Sequence, residues 1–270
     1  MTEDEILQRI DEGSREKDRE QRAYLGASMI GDDCEVRLQM GLRGYPKDEF
    51  DPRILRIFAL GHIIEDIVVA DLKKAGFHVM EKDDFTNRQW EWKDAGGHIK
   101  AHADGLIDLG LGRLSLLEIK SMNNKKHTEF IKKGIKSANK RYFEQMQMMM
   151  GMGRLKEALF IAYNKDTSAY HCEIVEYDEF VFSFIKNKIT RAMEGAKQRT
   201  SDDPTRFVCR FCDAKKYCWS DEHDEDIPQI CRTCDHSRPT MSGDWHCTLH
   251  NKSCNQPCDR WSKIKIEPGI

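Results

Sequence analysis

Residues 98–121 read HIKAHADGLIDLGLGRLSLLEIKS, and this stretch decides the fold. Two apolar runs flank a glycine-rich GLGR turn, the pattern of a β-hairpin with both strands largely buried. In a strand, residues two apart share a face, so Glu118 and Lys120 project together while their apolar neighbours point the other way. Asp104 lies on the partner strand if the turn falls near Gly110 to Gly112, within reach of the same spot. Two carboxylates and an amine at one point suit phosphodiester hydrolysis. Hard oxygen ligands hold Mg2+ or Mn2+, the metal acidifies a water, and lysine orients the nucleophile. A strand ion pair between Glu118 and Lys120, beside an unrelated turn aspartate, explains the same spacing equally well.

Outward from the hairpin, residues 54–75 carry apolar side chains at 54, 57, 60, 64, 67, 68 and 72, close to a 3.6-residue period, and Gly76 is placed to end that helix. Thr2 with Glu5 fits a capping box for a short N-terminal helix striped by Ile6, Leu7 and Ile10. A basic segment and a methionine-rich helix to about residue 150 follow the hairpin. Residues 155–163 and 169–175 read as strands, and 178–199 as a closing helix. Helix, strands, helix and strands in that order predict a mixed α/β core.

HADGLID followed by LLEIKS resembles the signature of the PD-(D/E)xK nuclease superfamily, and GHIIE (residues 61–65) and KRYFEQMQMMM (140–150) extend the similarity to its RecB-like members. The resemblance implies a restriction-endonuclease-like core, a mixed central sheet flanked by helices. It implies His62, Asp104 and Glu118 as ligands of Mg2+ or Mn2+, Lys120 as the catalytic lysine and Gln145 as the positioning glutamine, with Glu65 a weaker candidate. The usual RecB-like form has Tyr four residues after the Gln. Here Met149 stands there and Tyr142 comes three residues before, so Gln147 remains the other candidate.

The chain has 270 residues, a net charge of -3 and ten cysteines. That net charge does not attract a polyanion, so DNA binding needs a local basic surface. Lys125, Lys126, Lys132, Lys133, Lys136, Lys140 and Arg141 supply one directly after the catalytic strand, with Tyr142 able to stack on bases. A solvated helix face is the plain reading of the same run. No signal-like or membrane-spanning run occurs, so a soluble, cytoplasmic or phage-encoded protein is expected. Clustered thiols then suggest metal rather than disulfides.

Segments similar to GASMIGDDCEVR (26–37) and VCRFCDAKKYC (208–218) occur in RecB-like nucleases of the AddB and CRISPR-associated types. There the four cysteines hold a 4Fe-4S cluster, here implying Cys34, Cys209, Cys212 and Cys218, with zinc the competing metal. The acidic SDEHDEDIPQ (220–229) reads as a linker. The expected division is residues 1–220 as nuclease domain, 221–230 as linker and 231–270 as a small C-terminal module too short to hold a core without a staple. Cys231, Cys234, Cys247 and Cys258 are its expected zinc ligands, with Cys254 or His250 as alternatives for the fourth. Cys172 stands alone and is expected to be packed.

The expected function is a metal-dependent DNA nuclease, exonucleolytic at ends or on single strands. Through the resemblance it implies recombination, repair or replication and a helicase or recombination partner. The rival is a non-catalytic nucleic-acid or protein binding module on a nuclease-like scaffold.

Overall fold

A computed structural model describes residues 1–15, 22, 24–47, 49–110, 112–254 and 256–269. Helix α1 (Glu3–Ser14) begins at the Thr2–Glu5 capping box, but its Ile6, Leu7 and Ile10 stripe is exposed. A two-residue strand β1 (Leu25–Gly26) leads into α2 (Ala27–Ile30) and α3 (Glu35–Arg43). The long α4 (Pro52–Lys74) starts where Asp51 accepts the Arg53 N–H and Pro52 fills the first turn.

Strands β2 (His78–Met80), β3 (Glu91–Asp94), β4 (Ile99–His102), β5 (Gly105–Asp108) and β6 (Leu114–Met122) follow. Next come α5 (Asn124–Ala138), α6 (Lys140–Gly153), β7 (Glu157–Asn164), β8 (Tyr170–Glu176) and α7 (Glu179–Glu194). The main sheet has five strands in the order β2-β5-β6-β7-β8. Only the central β6–β7 pair is parallel, joined by the α5–α6 crossover. A mixed α/β core is therefore what the chain forms.

The expected hairpin is corrected at its first strand. Residues 99–108 are two strands in two sheets: β4 pairs with β1 and β3, whereas β5 pairs with β6 in the register Gly105↔Leu117. Asp104 sits in the break between them. Alternation along β6 and β7 sends Leu116, Phe160 and Ala162 into a cluster with Met146, Met148, Met149 and Met150 of α6, and sends Leu117, Ile119, Leu159 and Ile161 onto Ile64 and Val68 of α4. The methionine run is thus core packing. Cys172, expected to be packed, is exposed, because β8 is an edge strand with one face toward solvent.

Beyond α7 the chain forms two one-turn helices, α8 (Phe207–Arg210) and α9 (Lys215–Trp219), and a small antiparallel sheet of β9 (Ser237–Pro239), β10 (Trp245–Cys247) and β11 (Lys252–Ser253). The acidic stretch before it is pinned: Lys263 Nζ lies 2.8 Å from Asp221 and 2.6 Å from Asp224, and Ile227 is buried with Val36, Met40, Tyr45 and Ile264. Arg43 at the end of α3, fully buried, donates to the carbonyls of Arg232 (3.0 Å), Cys234 (2.7 Å) and Ser237 (2.8 Å). Tyr45 Oη adds a bond to the Thr233 carbonyl at 3.0 Å. Among the described residues, no helix is long and apolar enough to cross a membrane.

Candidate active site

Glu118 and Lys120 stand on the α6-facing side of β6, at the middle of the sheet. Glu118 is 1% exposed; its Oε1 lies 2.5 Å from Lys120 Nζ and accepts a 2.8 Å hydrogen bond from Gln145 Nε2. Its other oxygen, Oε2, is buried and has no hydrogen-bond partner. Such an orphan costs about 1–3 kcal/mol, more for a charged group, so something outside the chain has to satisfy it. Asp104 is anchored by the Ile119 N–H, which donates to Oδ2 at 2.8 Å, and that oxygen lies 3.9 Å from Lys120 Nζ.

Burial pushes the Glu118 carboxyl above its ordinary value, Lys120 opposes this, and the nearby Asp104 and Glu65 carboxylates reinforce it. The Lys120 ammonium is held protonated because Glu118 and Asp104 outweigh its own burial. Glu65 is raised by burial and by Asp104. Glu118 and Glu65, each raised by burial and by the Asp104 charge, share one amine, and a divalent cation bound by carboxylate oxygens would offset that accumulation of negative charge.

Glu65, the weaker candidate from the sequence, belongs to this electrostatic cluster. His62 stands outside it with its side chain 78% exposed, and its Nδ1 lies 3.2 Å from Glu65 Oε2. Gln145 reaches Glu118, while Gln147, fully buried, spans the Glu176 carbonyl and the Asp178 N–H at 2.8 Å each. Tyr142 lies under the amine, with Lys120 Nζ 5.8 Å from its ring centre.

The basic run is exposed at Lys125, Lys126, Lys132, Lys133 and Lys136. Lys133 is paired with Glu129 at 2.8 Å, Lys140 with Asp33 at 2.5 Å and Arg141 with Asp32 at 3.0 Å. Lys136 lies 5.1 Å over the Phe143 ring. The four residues from Lys125 to Lys136 other than Lys133 remain the cationic surface.

Cys34, Cys209, Cys212 and Cys218 line one small cavity of about 20 Å³ together with Arg37, Arg199 and Trp219. Burial pushes the Cys212 thiol up to about 11 and Cys218 up to about 12, and Cys34 raises both further. In the C-terminal sheet, Cys254 is raised by burial and by its neighbours Cys231 and Cys247. Cys258 Sγ lies 3.6 Å from His250 Nε2. Cys234 is buried beneath, its carbonyl accepting from Arg43. As the side chains are placed, no three His, Cys, Asp or Glu groups among the described residues enclose a metal position. Neither the Glu65 contribution nor Cys254 is distinguishable in sequence from its neighbours, since one helix turn and one hairpin register decide them.

No family model matches the chain, and no curated protein matches it. Among solved structures it is similar to the alkaline exonuclease LHK-Exo from Laribacter hongkongensis, at 20% identity over 64% of this chain and 88% of that one, with a TM-score of 0.48. LHK-Exo in complex with dAMP is similar at 21% identity over 64% and 87%, also with a TM-score of 0.48. A phage-related exonuclease from Haemophilus somnus 129PT is similar at 14% identity over 63% and 91%, with a TM-score of 0.40. Likenesses of this strength carry no weight for the chemistry, which rests on the side chains described above.

Proposed function

We propose that the chain is a divalent-metal-dependent deoxyribonuclease of the PD-(D/E)xK type, acting exonucleolytically at DNA ends or on single strands. The observation that carries this reading is the buried, partnerless Oε2 of Glu118 beside Asp104, Glu65 and Lys120. Asp104 and Glu118 would hold Mg2+ or Mn2+, with Glu65 beside them and His62 supporting Glu65. The cation supplies Lewis acidity that lowers the pKa of a water and offsets charge on the phosphoryl oxygens. Gln145 fixes Glu118 through Oε1, leaving Oε2 as the oxygen that faces the centre. Lys120, held as an ammonium, orients the attacking water and donates to the developing phosphorane. Lys125, Lys126, Lys132 and Lys136 bind phosphates without reading sequence.

Two further centres belong to the proposal. Cys34, Cys209, Cys212 and Cys218 hold a 4Fe-4S cluster: the four thiols line one cavity, and their flanking segments resemble those of iron-sulfur nucleases. In the region 231–270, proposed as a module that docks on the nuclease domain 1–220 through the segment 221–230, zinc is held by Cys231 and Cys247 with Cys254 and one of Cys258, His250 or Cys234. Thiols raised by burial and by one another are neutral alone, and a metal reverses that balance. A helicase or recombination partner and a cytoplasmic setting complete the reading.

The test is an oxygen-free purification with iron and zinc measured, followed by assays on end-labelled single- and double-stranded DNA with Mg2+ or Mn2+, with Lys120→Ala alongside. Cleavage by the wild type should exceed that of the variant by about 10²- to 10⁴-fold. Equal cleavage by both, or none by either, rejects the nuclease.

A further inference from the structure

The sequence TRFVCRFC (205–212) does two things at once. Cys209 turns inward to the four-cysteine cavity. Phe207 and Phe211 turn outward, 82% and 71% exposed, with their ring centres 5.8 Å apart at an interplanar angle of 69°. The loop that carries them is set by its own backbone bonds, Arg210 N–H to the Arg206 carbonyl at 2.8 Å and Cys212 N–H to the Cys209 carbonyl at 3.1 Å. Arg206 and Arg210 are exposed on either side of the rings, and neither forms an ion pair among the described residues. Arg210 lies 5.3 Å over the Phe211 ring. Asp203, near Arg206, accepts from the N–H and hydroxyl of Thr205 at 2.8 and 2.7 Å and also feels the Arg206 charge, and Asp213, near Arg210, is paired with Arg37 and Lys47.

Two exposed aromatic rings flanked in sequence by two exposed guanidinium groups offer flat apolar faces and positive charge together. A bare apolar partner would leave both arginines unanswered. A polyanion whose bases are free to stack answers all four side chains. The loop also leads toward the active centre: Asp213, next to Cys212, accepts Arg37 at 2.8 Å, Arg37 pairs with Asp32, and Asp32 accepts Arg141 of α6 at 3.0 Å, one residue before Tyr142.

We infer that Arg206, Phe207, Arg210 and Phe211 form a binding site for single-stranded nucleic acid, with bases stacked on the two rings and phosphates on the two guanidinium groups. The inference rests on the nuclease reading for its purpose, but binding is measurable without cleavage. The experiment uses the full chain purified without oxygen, in a Lys120→Ala background, with a fluorescent 20-nucleotide oligo(dT) and its duplex as probes. Phe207→Ala and Phe211→Ala should each weaken single-strand binding roughly tenfold at unchanged salt slope. Arg206→Ala and Arg210→Ala should each lower the slope of log affinity against log salt by about 0.7. Iron content and thermal melting of each variant verify that the loop is intact. Unchanged single-strand affinity in all four variants overturns the site, as does an equal loss on the duplex, whose bases are already stacked. Absence of metal-dependent cleavage in the parent chain would instead remove the nuclease reading and leave the binding result standing.

Discussion

Arg43→Met should release the C-terminal region from the α/β core. The guanidinium is fully buried and makes four bonds to residues 232–237: Nη1 to the Arg232 and Cys234 carbonyls and the Ser237 hydroxyl, and Nη2 to the Ser237 carbonyl. Methionine keeps the length of the stem and its contact with the Trp245 ring, over which the guanidinium lies at 5.3 Å. Cys234 retains the Ser237 hydroxyl as donor at 2.9 Å and the Ser237 carbonyl retains Arg238 Nη1 at 2.7 Å, so the Arg232 carbonyl is the one left without this donor. Each buried carbonyl left bare costs about 1–3 kcal/mol. Against this stands relief of the arginine's own burial, which lowers its pKa to about 10 and leaves Nε without a partner. A net of about 1.4 kcal/mol follows, which is a population change of about tenfold. Hydrogen exchange of the Thr233, Cys234 and Ser237 amides should accelerate by that factor, and Arg43→Lys, whose single head cannot span both ends, should fall between. Exchange within twofold of the wild type would refute the docking role.

The raised Glu118 carboxyl predicts that Mn2+ affinity climbs about tenfold per pH unit below its folded-state value and flattens above it, since one proton must leave; calorimetry across pH 5 to 8 checks this. In the metal-free chain the same shift gives Glu118 a stability contribution that is present below the ordinary carboxylate range and lost as pH rises through the folded value, so melting should fall over that window and recover with Mn2+. Lys188→Met removes the nearer cation of the buried Glu144, 2.9 Å away, leaving Lys140 at 3.5 Å, and should cost about 1–3 kcal/mol in denaturant unfolding. Charge reversal at Lys132 and Lys136 should weaken duplex binding and flatten its salt slope by about 0.9 for each lost phosphate contact while sparing metal content.

Much of the core was legible because apolar rhythm and burial coincide. Residues 114–122, 157–164, 170–176 and 179–194 form the expected strands and helix; β6 and β7 are buried on both faces, whereas Tyr170 and Ile174 of β8 are exposed. The break at Asp104 was not, since β4 and β5 share one alternation although they enter different sheets. His62 and Glu65 sit one turn apart on the same helix face, and only the approach of β6 decides that the glutamate meets Asp104 and Glu118 while the histidine faces solvent. Gln145 and Gln147 are two residues apart on a helix, hence on nearly opposite sides, so the choice between them depends on how α6 is rotated against the sheet. Asp51 with Pro52 was a readable cap that the apolar period alone, starting at Ile54, passes over. Cys172 misled because an unpaired cysteine is ordinarily buried, and nothing in its own strand shows that the strand is an edge.

The least local feature of the molecule is the role of α3. Its N-cap residue Cys34 faces Cys209, Cys212 and Cys218, its Arg37 bonds Asp213, and its last residue Arg43 reaches residues 232–237. Just before it, Asp32 accepts the Cys34 N–H at 2.9 Å and Arg141 at 3.0 Å, and Asp33 takes Lys140 at 2.5 Å. One nine-residue helix is thereby fixed at one end to the cysteine cavity, at the other to the C-terminal sheet, and laterally to the start of α6. The Asp32 and Asp33 pairs tie the entry to α3 to the start of α6, which places Tyr142 under Lys120 and Gln145 on Glu118. The contacts of α3 with the cysteine cavity and with residues 232–237 therefore bear on the Glu118–Lys120 cluster through position, by fixing the start of α6.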